Sequence, residues 1–101
     1  MFVGALRVDL YIRESGSLKD KRQVMRMLLD RTRSRFKVAV AEVGESDDIK
    51  RGGIAVACVG NSEYQVRELL LQVERAIVSW CPAEITGLRR GVERFEGEGA
   101  G

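Results

Sequence analysis

Between two β-like runs, the first alternating with a period of two and the second nearly continuous in hydrophobicity, lies Ser17 to Lys37, SLKDKRQVMRMLLDRTRSRFK, where the apolar residues recur at three- and four-residue steps instead. A change of period from strand to helix and back again forces a strand–helix–strand unit, because each face must be buried against something of its own spacing. Leu18, Met25, Leu28, Leu29, Thr32 and Phe36 fall on the core-facing stripe of that helix. Ser17 is placed to cap it, accepting an otherwise orphaned backbone N–H, and Asp20 three residues on can reach back as a shortened capping box.

The same stretch concentrates positive charge. It holds eight Lys and Arg against two Asp and Glu, whereas the rest of the 101-residue chain holds nine against thirteen, for a net charge of +2 overall. Lys19, Arg22, Arg26, Arg33 and Lys37 fall within about 60° of one another around the helix, with Asp30 at the edge of the ladder. Arg31 and Arg35 form a second group, expected to point away from the core beside Val24 and Met27. A basic ladder can neutralise phosphates and release their counterions, and a plain solvated helix face fits the same pattern.

A chain of this length makes one domain, residues 1–96, able to bury about two-thirds of its unfolded surface. Cys58 and Cys81 have neither a C-x-x-C spacing nor the density of a disulfide scaffold, and read as reduced packing residues. The apolar start, MFVGALRVDLYI, is broken by Arg7 and Asp9, which argues against a signal peptide, and no run reaches the roughly 20 residues of a membrane span. A soluble, cytoplasmic protein is expected. The chain has no histidine, so the commonest general base and metal ligand are both missing. No catalytic constellation, metal site or cofactor site stands out, and a non-enzyme is expected.

Phe2 to Ile12 alternates as a first strand. Lys37 to Val43 and Gly53 to Val59 are β-branched and nearly continuous in hydrophobicity, as strands are. Between them Gly44 to Gly52 reads as a mobile polar loop, too long for a tight hairpin. A second helix opens at Asn61 or Ser62, with Gln65 completing a capping-box pattern and Val66, Leu69, Leu70, Val73, Ala76, Ile77 and Trp80 at helical spacing, and ends before Pro82. Glu84 to Phe95 is a less regular strand in which Gly87 and Gly91 suggest a bulge or a sheet edge. Residues 97–101 have nothing to pack and are expected to be a disordered tail.

The order βαββαβ, with right-handed crossovers, predicts an α+β ferredoxin-like domain: a four-stranded antiparallel sheet with two helices on one face. The other face is open. One parity puts Ala39, Ala41, Val43, Ala55, Ala57 and Val59 there, and the reverse parity puts Val38, Val40, Ile54, Val56 and Cys58 there. Either set is apolar, so a second copy or another partner is expected to cover it.

Other chemistries of such a sheet fit poorly. An RNA-recognition motif stacks bases on aromatic residues of its central strands, and Arg51-Gly52-Gly53-Ile54-Ala55-Val56-Ala57-Cys58 has its basic-Gly opening but not its rings. An acylphosphatase-like anion loop needs several converging backbone N–H groups, and Arg13-Glu14-Ser15-Gly16 offers one glycine beside an acid. Glu45, Asp47 and Asp48 lack the ordered spacing and closing glutamate of a calcium loop, and Lys50 and Arg51 can pair with them. Tyr11 and Trp80 read as packing residues.

Ser17-Leu18-Lys19-Asp20-Lys21-Arg22, Arg35-Phe36 leading to Val38, Val40-Ala41-Glu42-Val43, and Ala57-Cys58-Val59 followed by Asn61 together resemble the YlxP-like family, small bacterial proteins of unknown function. The resemblance spans about residues 3 to 95. It implies a ferredoxin-like fold, self-association, and a genomic association with translation and ribosome-maturation genes. Relatives often carry His-Gln-Asp-x-Trp-Gln-Arg between the middle strands; Glu45-Ser46-Asp47-Asp48-Ile49-Lys50-Arg51 keeps the Asp and the Arg and lacks the histidine and tryptophan. A role given to that loop in relatives therefore does not transfer.

Two functions remain. The first is a non-enzymatic module for ribosomal or structured RNA, with Lys19, Lys21, Arg22, Arg26 and Arg33 on phosphates. The second is a homodimeric interaction or ligand-binding module working through Ala39, Ala41, Val43, Ala55, Ala57 and Val59. Neither needs a cofactor, a metal or a membrane, and the sequence singles out no small molecule.

Overall fold

In a computed structural model that describes residues 1–44 and 47–96, the chain runs β1 (Phe2–Tyr11), α1 (Leu18–Arg35), β2 (Ala39–Val43), β3 (Arg51–Gly60), α2 (Glu63–Trp80) and β4 (Glu84–Arg94). The strands form one antiparallel sheet in the order β2-β3-β1-β4. This is the ferredoxin-like arrangement, with both helices on one face. Residues 97–101, expected to be a disordered tail, lie outside the described residues, as do Glu45 and Ser46 of the loop after β2.

The core follows from the two periodicities. Leu6, Val8 and Leu10 of β1 and Ile54, Val56 and Cys58 of β3 alternate inward to meet Met25 and Leu28 of α1 and Val66, Leu70, Val73 and Ile77 of α2. Full burial of such side chains contributes about 1.5–3 kcal/mol each before entropy is counted. The closest approach is at Gly4, where an added Cβ would stand 2.5 Å from Val66 Cγ1 and 2.9 Å from Leu70 Cδ1. Glycine lets α2 seat directly on β1.

Sheet pairing decides the parity. Val40 lies opposite Val56 and faces the helices, so Ala39, Ala41 and Val43 share the uncovered face with Ala55, Ala57 and Val59. Asp9 pairs with Gly87 but Leu10 with Ile85, making Thr86 the extra residue of a β-bulge, and β4 is an edge strand, as its glycines suggested.

The segment between β2 and β3 is shorter than its polarity suggested, and residues 48–50 of it are held by hydrogen bonds. β3 begins at Arg51, two residues before the expected start. Asp48 Oδ1 accepts from the backbone N–H groups of Lys50 (2.9 Å) and Arg51 (3.0 Å). Among the described residues Lys50 Nζ forms no ion pair; it donates to the carbonyls of Arg13 (2.7 Å) and Ser15 (2.8 Å), tying this segment to the loop after β1.

Candidate nucleic-acid interface

The helix carrying the basic ladder starts at a firm cap. Ser17 Oγ accepts from the Asp20 backbone N–H at 3.1 Å, and the Asp20 carboxylate accepts from the N–H of Gly16 at 2.9 Å, one residue earlier than a full capping box requires. From that start Lys19, Arg22, Arg26 and Arg33 are all exposed along one flank of α1, over a length of about 21 Å at 1.5 Å per residue. This flank runs beside the β2 edge. Arg22, Arg26 and Arg33 border a shallow depression of about 420 Å³ with Met25, Leu29, Asp30 and Glu42.

Carboxylates take up only part of this charge. Arg33 Nη1 lies 3.4 Å from Asp30, and its Nη2 donates to the Val40 carbonyl at 3.3 Å, so Arg33 is already committed. Among the described residues Lys19, Arg22, Arg26 and the exposed Lys37 form no ion pair.

Lys21 corrects the expectation outright. It is 2% exposed, and its Nζ donates to the Asp48 carbonyl at 2.7 Å, 27 residues along the chain. A buried ammonium held by backbone oxygen cannot reach a phosphate. Its position was legible, since residues 18, 21, 25, 28 and 32 form one helical stripe, but its charge argued for solvent. Asp48 shares this knot. Its carboxyl is held below the usual aspartate range, chiefly by the Lys50 N–H, then by the Arg51 N–H and the charges of Arg51 and Lys21, with desolvation opposing.

Arg31 and Arg35 are exposed, away from the core as expected, and beyond that expectation they lie over Trp80 at the end of α2, their guanidinium carbons 5.6 Å and 5.9 Å from the ring centroid. Arg35 also covers Phe36 at 5.7 Å, and the Phe36 and Trp80 rings lie 6.5 Å apart. Sequence spacing gave no sign of this cluster, because it joins the last turns of two helices.

The second candidate surface is present as an uncovered face. Ala39, Ala41, Ala57 and Val59 are exposed, Val59 at 68%, while Val43 and Ala55 are partly covered. The register sets Val3 and Ala5 beside them, with Arg7 and Arg89 opposite each other on the half toward β4. On the two central strands, β3 and β1, Tyr11 is the one aromatic on this face, with the Arg51 guanidinium 5.5 Å from its centroid. That falls short of the stacking platform of an RNA-recognition motif.

Burial pushes both thiols up, with hydrogen bonds at Gly4 (for Cys58) and Ala83 (for Cys81) offsetting in part, the opposite of a reactive thiolate. Among the described residues no group of three His, Cys, Asp or Glu side chains is placed to hold a metal ion, and no helix is long and apolar enough to cross a membrane.

With this geometry in hand, the comparisons agree on lineage and fold. The chain is 32% identical over 84 residues to the uncharacterized protein YlxP of Bacillus subtilis strain 168, an alignment covering 83% of this chain and 91% of that protein. Among solved structures it is similar to the solution NMR structure of a de novo designed protein with a ferredoxin fold, at 12% identity and a TM-score of 0.54 over 97% of this chain and 90% of that one. A likeness to a designed protein speaks to architecture alone. Residues 3–90 match the family DUF503, so the chain belongs to that family of proteins of unknown function.

Proposed function

We propose that this protein is a non-enzymatic RNA-binding module that grips ribosomal or other structured RNA by its phosphates along the exposed flank of α1. The observation that carries the reading is the row Lys19, Arg22 and Arg26 on α1, with Lys37 just beyond the C-cap, four exposed cations without ion-pair partners among the described residues. Arg33 contributes less, being shared with Asp30 and Val40. Lys21 is not part of the surface. Such contacts position a polyanion by charge and shape and carry no base sequence.

Fluorescence anisotropy with a labelled structured RNA tests this. About four phosphate contacts give log K falling against log salt with a slope of about −3. Arg22→Glu with Arg26→Glu should weaken binding at least tenfold and flatten the slope by about 2. Salt-independent binding, or binding untouched by the double substitution, rejects the reading. Co-sedimentation with ribosomal particles then identifies the subunit.

A second reading follows from the uncovered sheet face, whose occupant is a second copy of this chain. Its apolar half is built of alanine and valine. It is bordered by both signs of charge, Arg7 and Arg89 on one side and Glu93 opposite Val3 on another, so a two-fold-related copy can match them. The two surfaces are compatible, since α1 lies on the other face of the sheet.

A further inference from the structure

The last turn of α1 is ringed by charge. Arg33 lies on the β2 side, where it donates to Val40, and Arg31 and Arg35 lie on the α2 side, separated from it by the helix diameter of about 10–12 Å, with Lys37 just past the C-cap Phe36. The α2-side pair does what the ladder does not, since both guanidiniums lie over the indole of Trp80 at 5.6 Å and 5.9 Å. Energetically significant cation–π contacts arise about once per 70–80 residues, and here two converge on one ring, with Phe36 6.5 Å away. Among the described residues neither arginine has a carboxylate within ion-pair distance, so both charges stay available to a ligand.

We infer that Trp80, Arg31 and Arg35 form a stacking site for an unpaired base of bound RNA. Planar guanidiniums and indole rings are the groups on which splayed-out bases stack, and the two positive charges would hold the neighbouring phosphates. This rests on the phosphate-binding reading of α1, to which it adds a preference: RNA with an unpaired nucleotide beside a paired region, over continuous duplex. A strand gripped along the ladder reaches Trp80 by crossing the final turn of α1, past Arg33 and Lys37.

Trp80 is the single tryptophan of the chain, so its emission reports this site alone. The full-length protein is titrated with an unlabelled hairpin carrying a single-stranded tail and with a blunt hairpin of the same stem, both stems closed by a non-nucleotide linker so that the tail is the one unpaired segment, while anisotropy of labelled copies reports total binding. The expected result is Trp80 quenching with the tailed hairpin only, along the same isotherm as the anisotropy. Arg31→Gln with Arg35→Gln, both on exposed positions, should abolish the quenching and weaken the tailed hairpin about tenfold while leaving the blunt one within twofold. Trp80→Phe, which keeps an aromatic core contact, should weaken the tailed hairpin by a smaller factor. Anisotropy that rises while Trp80 emission stays constant overturns the stacking site and leaves the phosphate reading standing. Equal quenching by both hairpins overturns the unpaired-base preference, and no anisotropy change with either removes both proposals.

Discussion

At Lys21 the chain places an ammonium where its helix spacing calls for an apolar residue. The group is 2% exposed and donates to the Asp48 carbonyl, so truncation leaves a void and a half-buried carbonyl without this donor. Lys21→Ala should cost about 2–4 kcal/mol, read as a lower urea midpoint with unchanged m-value. It should leave the salt slope of RNA binding where it was, and a flattened slope would return Lys21 to the contact surface. Asp48 contributes a pH dependence. Its folded carboxyl releases its proton more readily than an unfolded one, so its stabilisation is complete above the unfolded value of about 4 and is lost as pH falls through the lower folded value. Between about pH 4 and pH 2 the urea midpoint of the native chain should therefore fall further than that of Asp48→Asn; parallel declines would mean that the loop knot is not titrating. Neither role could be read locally, because each depends on oxygen or charge brought from a distant segment, and side-chain charge is a poor guide where a loop closes over a helix.

Elements were far more legible than individual contacts. Ser17 and Ser62 cap their helices as the patterns required, each accepting the N–H three residues on, at 3.1 Å and 3.3 Å. Capping, period and a helix-ending proline are local chemistry, which is why they survive into the structure. Parity of the sheet was not legible. Both faces of β2 and β3 are apolar in sequence, and only pairing Val40 with Val56 across the strands sends the valines inward and the alanines outward. The contact of α2 with β1 makes a sharp test of element packing. A methyl group at residue 4 would enter the space of Val66 Cγ1 at 2.5 Å, so Gly4→Ala should destabilise by about 1–3 kcal/mol in thermal melts. Val66→Ala should be less damaging in the Gly4→Ala background than alone, a coupling that a double-mutant cycle reads directly. Additive losses would show that α2 does not bear on β1 at that point.

For the molecule as a whole, the sheet separates two surfaces that differ in kind. The helix side carries cations along α1, and the opposite side carries the small apolar residues of β2 and β3, with Val59 68% exposed. A patch of alanine and valine gains by leaving water once a matching copy is available, and its short side chains let two sheets approach closely. Face-to-face pairing would leave both ladders outward, on opposite sides of the dimer, where a single folded RNA could engage them together and gain avidity without any new contact. Ala57→Glu places a carboxylate at the middle of that face, on an exposed position with room in the monomer. Sedimentation velocity at micromolar concentration should show a dimer for the native chain and a monomer for Ala57→Glu, with far-UV circular dichroism unchanged. RNA affinity of the variant should drop to that of one ladder while its salt slope per bound chain persists. If the native chain sediments as a clean monomer, the pairing is wrong and the uncovered face has some other occupant. If the variant is monomeric with undiminished affinity, one ladder suffices, and pairing serves only to cover the sheet.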